Sequence, residues 1–428
     1  MAVKKKSLNE FKNELALYMP ESEVAAVTHI VDSGKGSFYQ DITGKQYLDF
    51  SSGIFTNNFG HGDAEITNTF SEIFGSLGNI HGRQWKGTLE VCRKLFKLLP
   101  SQNYQVIFYG DGGGYSCDRC LSELFYYFGK QKYNLVTFAG GFHGKTIGNK
   151  LSLDSNESAN FFKVHTVSPP YCYRCPFGKN KNSCCFECVE TLKKEMLNFK
   201  AQVFLFEPIL GSSIIIPPKE YWQRVEKFCH DNEILMVADE VLVGGGRVGT
   251  FLASTYYGIC PDVIILTKGL ANGLPLSTIL FNQKLTENKF STRHLNYSST
   301  FIGVPALIAV LGKILEKIER DDILENVKNR GKQFINGLKI LQKKYPIIGE
   351  IRGIGLMAAI EIIKNDGTFI PDVEFTKKIF SAAEKNGLEI IVPTSHILRM
   401  APPLNVTSTE IELGLNLIER SFENVCNG

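Results

Sequence analysis

Residues 234–241 read ILMVADEV and residues 261–269 read PDVIILTKG, and both stretches have the pattern of a buried strand that is followed by a polar residue. Each contains a short run of β-branched and aliphatic residues, which is typical of a buried strand. The first run ends in Asp239, and Lys268 follows the second. Because open α/β sheets bind ligands outside the carboxyl ends of their strands, we expect this carboxylate and this amine at one site.

Similar apolar runs recur through the middle of the chain, at residues 105–108, 135–138 and 203–206. Amphipathic stretches with the spacing of helices separate them. This alternation predicts an α/β fold, in which a mostly parallel sheet is covered by helices on both faces.

The pattern changes after residue 305, where long helices are expected at Ala306–Lys317 and Ile323–Lys344, followed by shorter strands. We therefore expect a large domain over residues 60–305 and a smaller α+β domain over residues 306–428. The N-terminal arm, residues 1–59, is expected to complete the smaller domain.

Composition excludes several classes of protein. The 428 residues are 43% hydrophobic and 21% charged, which is too apolar for intrinsic disorder. The net charge of +3 indicates no attraction to nucleic acid or to acidic membranes. No apolar run has the roughly 18 residues of a membrane helix, and the first 20 residues lack a signal-peptide core, so a cytoplasmic protein is expected. Eleven cysteines, an odd number, are expected to be reduced.

An Asp and a Lys at neighbouring strand ends suit pyridoxal phosphate. The Lys forms a Schiff base with the aldehyde, and the Asp keeps the pyridine nitrogen protonated. The glycine-rich turn at residues 110–114 precedes a helical stretch, where backbone N–H groups can receive a phosphate. Phe142, in the loop at residues 138–144, can stack on a flat ring. Each feature alone also fits an ordinary turn or core position.

The order of these motifs along the chain resembles that of the class III aminotransferases, which are pyridoxal-phosphate enzymes of fold type I. The resemblance is to the 4-aminobutyrate, ornithine and acetylornithine transaminases, and it extends over nearly the whole chain. Its most specific part is the block with Ala238-Asp239-Glu240-Val241, residues 246–249 (GRVG) and residues 267–270 (TKGL). It begins at residues 38–50 and ends at residues 398–404 (LRMAPPL).

The resemblance implies roles for individual residues. Lys268 matches the Schiff-base lysine, which also moves a proton between the substrate Cα and C4′ of the cofactor. Asp239 matches the carboxylate that faces the pyridine nitrogen. The residues implied in ring and phosphate contacts are Phe142, Val241, Gly113 and Gly114.

Two further matches concern the substrate and the partner subunit. Thr300 matches a threonine that reaches the phosphate from the neighbouring subunit, so the resemblance implies a homodimer with shared active sites. Arg399 matches the arginine that receives a substrate carboxylate in its bidentate fork. An ion pair that joins the two domains is the alternative role for Arg399.

The chain departs from the family pattern at several positions. Gly112 replaces a residue whose hydroxyl contacts the phosphate, and Leu242 replaces a glutamine that contacts the ring. Asp111 is unfavourable beside a phosphate unless it points away. Ser212 stands where many ω-amine transaminases have a glutamate that neutralises the arginine. Arg399 is therefore expected to remain a free cation. This favours a substrate with a carboxylate, or one that uses the arginine in another way, and weakens a strict assignment to 4-aminobutyrate or ornithine.

Two other groups of residues suggest metal or acid–base chemistry. The spacings 172/175 and 185/188 are both C-x-x-C, which is a zinc-binding pattern. Because similar loops occur in members of the family, we expect a structural loop and no metal. His61 and His143 are expected to be hydrogen-bonding loop residues, since Lys268 already provides the acid–base group.

The sequence thus predicts an aminotransferase that uses pyridoxal phosphate and moves an amino group from an amino acid or amine donor to a 2-oxo acid or aldehyde by a ping-pong mechanism. Its partners are small molecules and a second copy of the chain. An amino-acid racemase or epimerase with the same lysine and aspartate is the first alternative. A non-catalytic protein on the same scaffold is the second, which Gly112, Tyr115 and Leu242 would permit.

Overall fold

A seven-stranded sheet in the order β4-β10-β9-β8-β7-β5-β6 forms the centre of the fold. The computed structural model describes residues 7–25, 27–81, 83–146, 162–179, 184–288, 299–392 and 395–427. The strands of this sheet are β4 (Tyr104–Tyr109), β5 (Tyr133–Phe138), β6 (Phe162–Val167), β7 (Val203–Phe206), β8 (Leu235–Asp239), β9 (Val263–Leu266) and β10 (Ser277–Asn282).

The sheet is mostly parallel, which confirms the predicted fold class. Strands β6, β5, β7, β8 and β9 pair in parallel, whereas β10 is antiparallel to both β9 and β4. The chain between β9 and β10 is short, and a short connection can only return the next strand in the opposite direction. The pairing of β8 with β9 sets Asp239 beside Ile265, so the two strands end at the same edge.

Side chains that alternate along β9 enter different cores on the two faces of the sheet. Ile264 and Leu266 pack with the helix Pro305–Arg320, and Val263 and Ile265 pack with the helix Gly113–Tyr127. All four are completely buried. Burial on both faces is the reason that this strand reads as an unbroken apolar run.

Helices surround the sheet and form most of the C-terminal part. Their bounds are Leu8–Leu15, Glu21–Ala25, Ser52–Phe55, Ala64–Ser76, Thr88–Phe96, Gly113–Tyr127, Glu187–Phe199, Lys219–Asp231, Ala253–Tyr257, Gln283–Asn288, Pro305–Arg320, Ile323–Lys344, Val373–Lys385 and Ser408–Cys426, with a 3₁₀ turn at Lys268–Ala271.

Two smaller sheets lie outside the central one. The first has the order β1-β2-β3-β13 and the second β11-β12-β14. Their strands are β1 (Val31–Lys35), β2 (Phe38–Asp41), β3 (Gln46–Asp49), β11 (Ile348–Ile354), β12 (Met357–Ile362), β13 (Leu388–Glu389) and β14 (Ile397–Met400). Parallel pairing of β13 with β3 joins the N-terminal arm to the C-terminal part. The domain boundaries stay a prediction.

Two features bear on the expected class of protein. Within the part of the chain that the structure describes, no helix combines the length and the apolar character needed to cross a membrane. All eleven cysteines are free thiols, as expected from their odd number.

Candidate active site

A cavity of about 620 Å³ lies where β8 and β9 end. Seven of the eight residues predicted for the site line it: Gly113, Gly114, Phe142, Asp239, Val241, Lys268 and Arg399. Leu242 and Ser212, two of the departures from the family pattern, also line the cavity. The structure therefore brings together side chains that are separated by almost 300 positions in the sequence.

Asp239 is a buried carboxylate held by three donors. The Nδ1 atom of His143 lies 2.7 Å from Oδ2 and the backbone N–H of Val241 lies 3.0 Å from Oδ1. The thiol of Cys117 is 3.6 Å from Oδ2. On the far side of the imidazole, Thr137 Oγ1 lies 3.2 Å from Nε2. These contacts hold the carboxylate at the base of the cavity, and they give His143 the hydrogen-bonding role expected from the sequence.

The imidazole of His143 carries a shifted pKa. Burial acts to lower it, but the hydrogen bond and the negative charge of Asp239 outweigh burial, so the pKa of His143 is raised. A protonated imidazole stabilises the neighbouring carboxylate in its charged form. His143 and Asp239 therefore form a buried pair in the cavity wall.

Lys268 follows β9 at the start of the 3₁₀ turn Lys268–Ala271. Its φ of +30° is in the left-handed region, which non-glycine residues seldom adopt. Burial lowers the pKa of Lys268, although the charges of Glu207 and Asp239 oppose the shift. A lower pKa leaves more of the amine neutral, and the neutral amine is the form that attacks a carbonyl.

The glycine-rich turn places a helix N-terminus at the cavity. Gly112, the residue before the helix Gly113–Tyr127, makes no side-chain capping bond. A Cβ atom at Gly113 would stand 2.7 Å from Val241 Cγ1, so only glycine allows this close approach. The N–H groups at a helix N-terminus attract anions.

Asp111 is engaged outside the cavity, as a phosphate site requires. Its Oδ1 accepts a hydrogen bond from Ser277 Oγ at 2.5 Å, and its Oδ2 accepts one from Arg119 Nε at 3.3 Å. The carboxylate is thus paired with a cation and does not line the cavity.

Arg399 is half-buried in the cavity wall, and its Nη1 donates to the backbone carbonyl of Gly211 at 3.0 Å. Burial lowers the pKa of its guanidinium. Across the described ranges, no carboxylate lies within ion-pair distance of Arg399. Ser212, which stands where many ω-amine transaminases have a glutamate, donates its hydroxyl to the carbonyl of Gly140 at 2.8 Å.

Glu207 is not among the residues predicted for the site, and the structure gives it a role there. It is buried, and its two oxygens accept from the backbone N–H groups of Phe142 at 3.0 Å and Gly211 at 2.9 Å. One carboxylate therefore joins two loops of the cavity wall. Burial raises the pKa of Glu207, and the charge of His143 opposes this. Its place directly after β7 was the available signal, because strand ends carry ligand-binding residues.

Thr300 does not line the cavity of its own chain. Its carbonyl accepts from Asn79 Nδ2 at 2.6 Å, and its side chain is exposed. His61 is also outside the cavity, where its Nε2 lies 3.0 Å from Asp49 Oδ2.

The cysteine-rich loop does not assemble a metal-ligand set in the described ranges, which leave out residues 180–183. Within those ranges, the one group of three or more metal-ligating side chains is formed by Cys117, His143 and Asp239. That group is the hydrogen-bonded set around Asp239. The cysteines of the two C-x-x-C spacings do not form another.

The cavity fits the cofactor that the sequence resemblance implies. Pyridoxal phosphate needs an amine for its aldehyde, an anion for its ring nitrogen and hydrogen-bond donors for its phosphate. Lys268, Asp239 and the N-terminus of the helix Gly113–Tyr127 offer these three groups in one cavity. Phe142, with 52% of its side chain exposed, and Val241 add apolar surface for a flat ring.

Solved structures share this fold over the full chain. An aminotransferase from Bacillus anthracis superposes with a TM-score of 0.88 and 26% identity, covering 99% of this chain and 100% of that one. An amine transaminase from an uncultivated Pseudomonas species, in its PLP-bound form, has a TM-score of 0.86 and 25% identity, covering 94% and 96%. The architecture is thus that of pyridoxal-phosphate transaminases.

Curated relatives include both transaminases and racemases. The leucine/methionine racemase of Thermococcus litoralis is 29% identical, covering 96% of this chain and 94% of the relative. The acetylornithine aminotransferase of Vibrio vulnificus is also 29% identical, covering 91% and 92%. The sequence profile described as Aminotransferase class-III matches residues 18–422. The chain therefore belongs to the class III aminotransferase family of enzymes, and its cofactor is pyridoxal phosphate.

Proposed function

We propose that this enzyme is a transaminase that moves an amino group from an amino acid or amine to a 2-oxo acid or aldehyde in two half-reactions. The observation that carries the proposal is that Lys268, Asp239 and Arg399 line one cavity and that Arg399 forms no ion pair in the described ranges. Bound pyridoxal phosphate supplies an electrophilic carbon and an electron-accepting ring. The protein must then bind the donor, orient it and move one proton.

Lys268 is proposed as the base that takes the proton from the donor Cα. Its lowered pKa favours the neutral amine that this step requires. Asp239, supported by His143, is proposed to hold a proton on the ring nitrogen of the cofactor, since this buried carboxylate lines the cavity and is fixed by its donors. Glu207 positions the two loops that carry Phe142 and Gly211.

Arg399 is proposed to bind a carboxylate of the substrate. Its guanidinium has one backbone acceptor, Gly211, and no acid partner in the described ranges. A substrate carboxylate can use the remaining N–H groups in a bidentate pair. The alternative role, an ion pair between domains, finds no support in these contacts.

Spectroscopy and product analysis test the proposed function. The purified holoenzyme is mixed with single donors in the absence of an acceptor. The expected result is one oxo product per active site, with loss of the cofactor's visible absorbance and its return when a 2-oxo acid is added. If no amine or amino acid in a broad panel gives an oxo product, the proposal fails.

We also propose a homodimer with shared active sites, in which Thr300 reaches the phosphate of the partner's site. The exposed position of Thr300, outside its own cavity, supports this. Mixing inactive Lys268→Ala with inactive Thr300→Ala is expected to restore about a quarter of the wild-type activity, because about half of the re-formed dimers carry one intact site of two. No recovery after proven subunit exchange would contradict shared sites.

Racemisation is the second candidate, and the similarity to a leucine/methionine racemase favours it. A racemase interconverts the two enantiomers of an amino acid without net transfer of nitrogen. Chiral chromatography of the same reactions separates the two functions. Loss of optical purity without any oxo product would replace transamination by racemisation as the function.

A further inference from the structure

Glu389 is an acid in the wall of the active-site cavity, and the proposed transamination assigns it no role. It ends β13, where it pairs with Asp49 of β3, and it lines the cavity together with Arg399. Two residues further on, Ile391 donates its N–H to the carbonyl of Arg399 at 3.1 Å. Two residues of chain span at most about 7 Å, so the backbones of Glu389 and Arg399 lie close together in the cavity wall.

The carboxyl of Glu389 lacks a cationic partner in the described ranges. Its Oε2 accepts a hydrogen bond from the hydroxyl of Tyr39 at 3.0 Å, and this is the one hydrogen bond of the Glu389 carboxyl in the described ranges. The charged groups that act on it are Asp49 and Glu384, which are both acids. Burial, followed by the charge of Asp49, raises the pKa of Glu389 to about 7.

A half-buried carboxyl with acidic neighbours is costly when it is charged, and a cation nearby would offset that cost. Lys268 and Arg399 line the same cavity, but neither forms an ion pair with Glu389 in the described ranges. The tyrosine hydroxyl donates to one oxygen of Glu389, and the other oxygen has no hydrogen-bond donor in the described ranges.

We propose that Glu389 selects substrates that carry a second cationic group. The substrate class is a basic amino acid, whose carboxylate is bound by Arg399 and whose side-chain ammonium is bound by Glu389. This inference rests on the proposed function, because it assumes that amino acids enter this cavity as donors. It names the substrate class of that same site and gives Glu389 a specificity-determining role.

A purely structural role for Glu389 makes a different prediction. Tyr39 also lies 2.9 Å from His29 Nε2, and His29 Nδ1 lies 3.2 Å from Glu384 Oε1. Were Glu389 only one member of this chain of hydrogen bonds, its substitution would affect stability but leave the choice of substrate unchanged. Glu384 belongs to the same chain and does not line the cavity, so Glu384→Gln is the matched control.

The first experiment compares lysine and ornithine with norleucine, which has a similar length and no side-chain charge. The half-reaction rate constant divided by KM is measured for the wild type, Glu389→Gln and Glu384→Gln holoenzymes. We expect Glu389→Gln to lose about 10- to 100-fold of the preference for the basic donors, since a charge-assisted hydrogen bond is removed. Norleucine is expected to react about as before, and Glu384→Gln to behave as the wild type.

The second experiment measures binding without chemistry. The probe is 4-(trimethylammonio)butanoate, a carboxylate with a cation that cannot react with an aldehyde, and its neutral match is 5,5-dimethylhexanoate. Calorimetry with the holoenzyme is expected to show tighter binding of the cationic probe, and loss of this preference in Glu389→Gln.

Equal effects of Glu389→Gln on basic and neutral donors, or equal binding of the two probes by the wild type, would overturn the proposal. These outcomes are separate from failure of the proposed function. If norleucine is converted but Glu389→Gln does not change the preference for basic donors, transamination stands and the proposed role of Glu389 is refuted. If the cationic probe binds selectively but no donor is converted, the proposed role of Glu389 is supported and transamination is refuted.

Discussion

Substitution of Gly113 by alanine tests the contact on which the phosphate-binding turn depends. A Cβ atom there would stand 2.7 Å from Val241 Cγ1, about 1 Å closer than ordinary contact between carbon atoms. Relieving an overlap of this size costs about 1–3 kcal/mol. Because Val241 and Gly113 both line the cavity, we expect the strain to appear in cofactor binding. The dissociation constant for pyridoxal phosphate should rise by about 5- to 140-fold.

Gly112 provides the matched control. A Cβ atom at Gly112 meets nothing within 4 Å, and its φ of −93° is accessible to any residue. Gly112→Ala is therefore expected to bind the cofactor within about twofold of the wild type, which corresponds to less than about 0.5 kcal/mol. Apoenzyme is titrated with pyridoxal phosphate and binding is followed by equilibrium dialysis. Wild-type affinity in Gly113→Ala, or equal weakening in both variants, would refute the reasoning.

Three further predictions concern charged groups of the cavity. His143→Leu removes the donor 2.7 Å from Asp239 and should weaken pyridoxal phosphate binding about 10- to 150-fold by dialysis, whereas His143→Asn, which retains a donor, should lose less. Arg399→Lys keeps the charge but loses the bidentate fork, so steady-state kinetics should show KM for amino acids raised about tenfold or more and little change for simple amines. The pKa of Glu389 is raised to about 7 in the folded protein, so folding favours the protonated carboxyl. This stabilisation is complete below pH 4.5, the ordinary pKa of the group, and it is lost as the pH rises towards 7. Calorimetry should therefore give Glu389→Gln a higher melting temperature than the wild type at pH 8, and no such gain at pH 4.5.

Strands were predictable from the sequence where both faces are buried. The runs at 203–206 and 263–266 coincide with β7 and β9, because completely buried strands are unbroken apolar runs with turns at both ends. Strand β6 reads FKVHTV, and it is absent from the predicted strands because it contains no unbroken apolar run. Strand β10 and its reversed direction were also missed, since direction depends on the connection and not on the local pattern.

The site was predictable to the extent that it follows from parallel strands. Asp239 and Lys268 come together because β8 and β9 end at one edge, which is a general property of such sheets. Glu389 enters the same cavity through the pairing of β13 with β3, between segments about 340 positions apart. No local pattern encodes that pairing. A lone carboxylate in the apolar run at 388–392 was the only local sign that Glu389 is unusual.

The charges of the cavity separate into two sets. Asp239 and Glu207 accept hydrogen bonds from backbone N–H groups, and Asp239 also contacts His143. Both carboxylates therefore stabilise the structure of the cavity wall. Arg399 and Glu389 have only uncharged partners, a carbonyl and a tyrosine hydroxyl, within the described ranges. Opposite charges in one cavity would neutralise each other if they met, but these two are not paired. A ligand that carries both a carboxylate and an ammonium would satisfy both groups at once, and this is the property that distinguishes a basic amino acid from the neutral donors of a general transaminase.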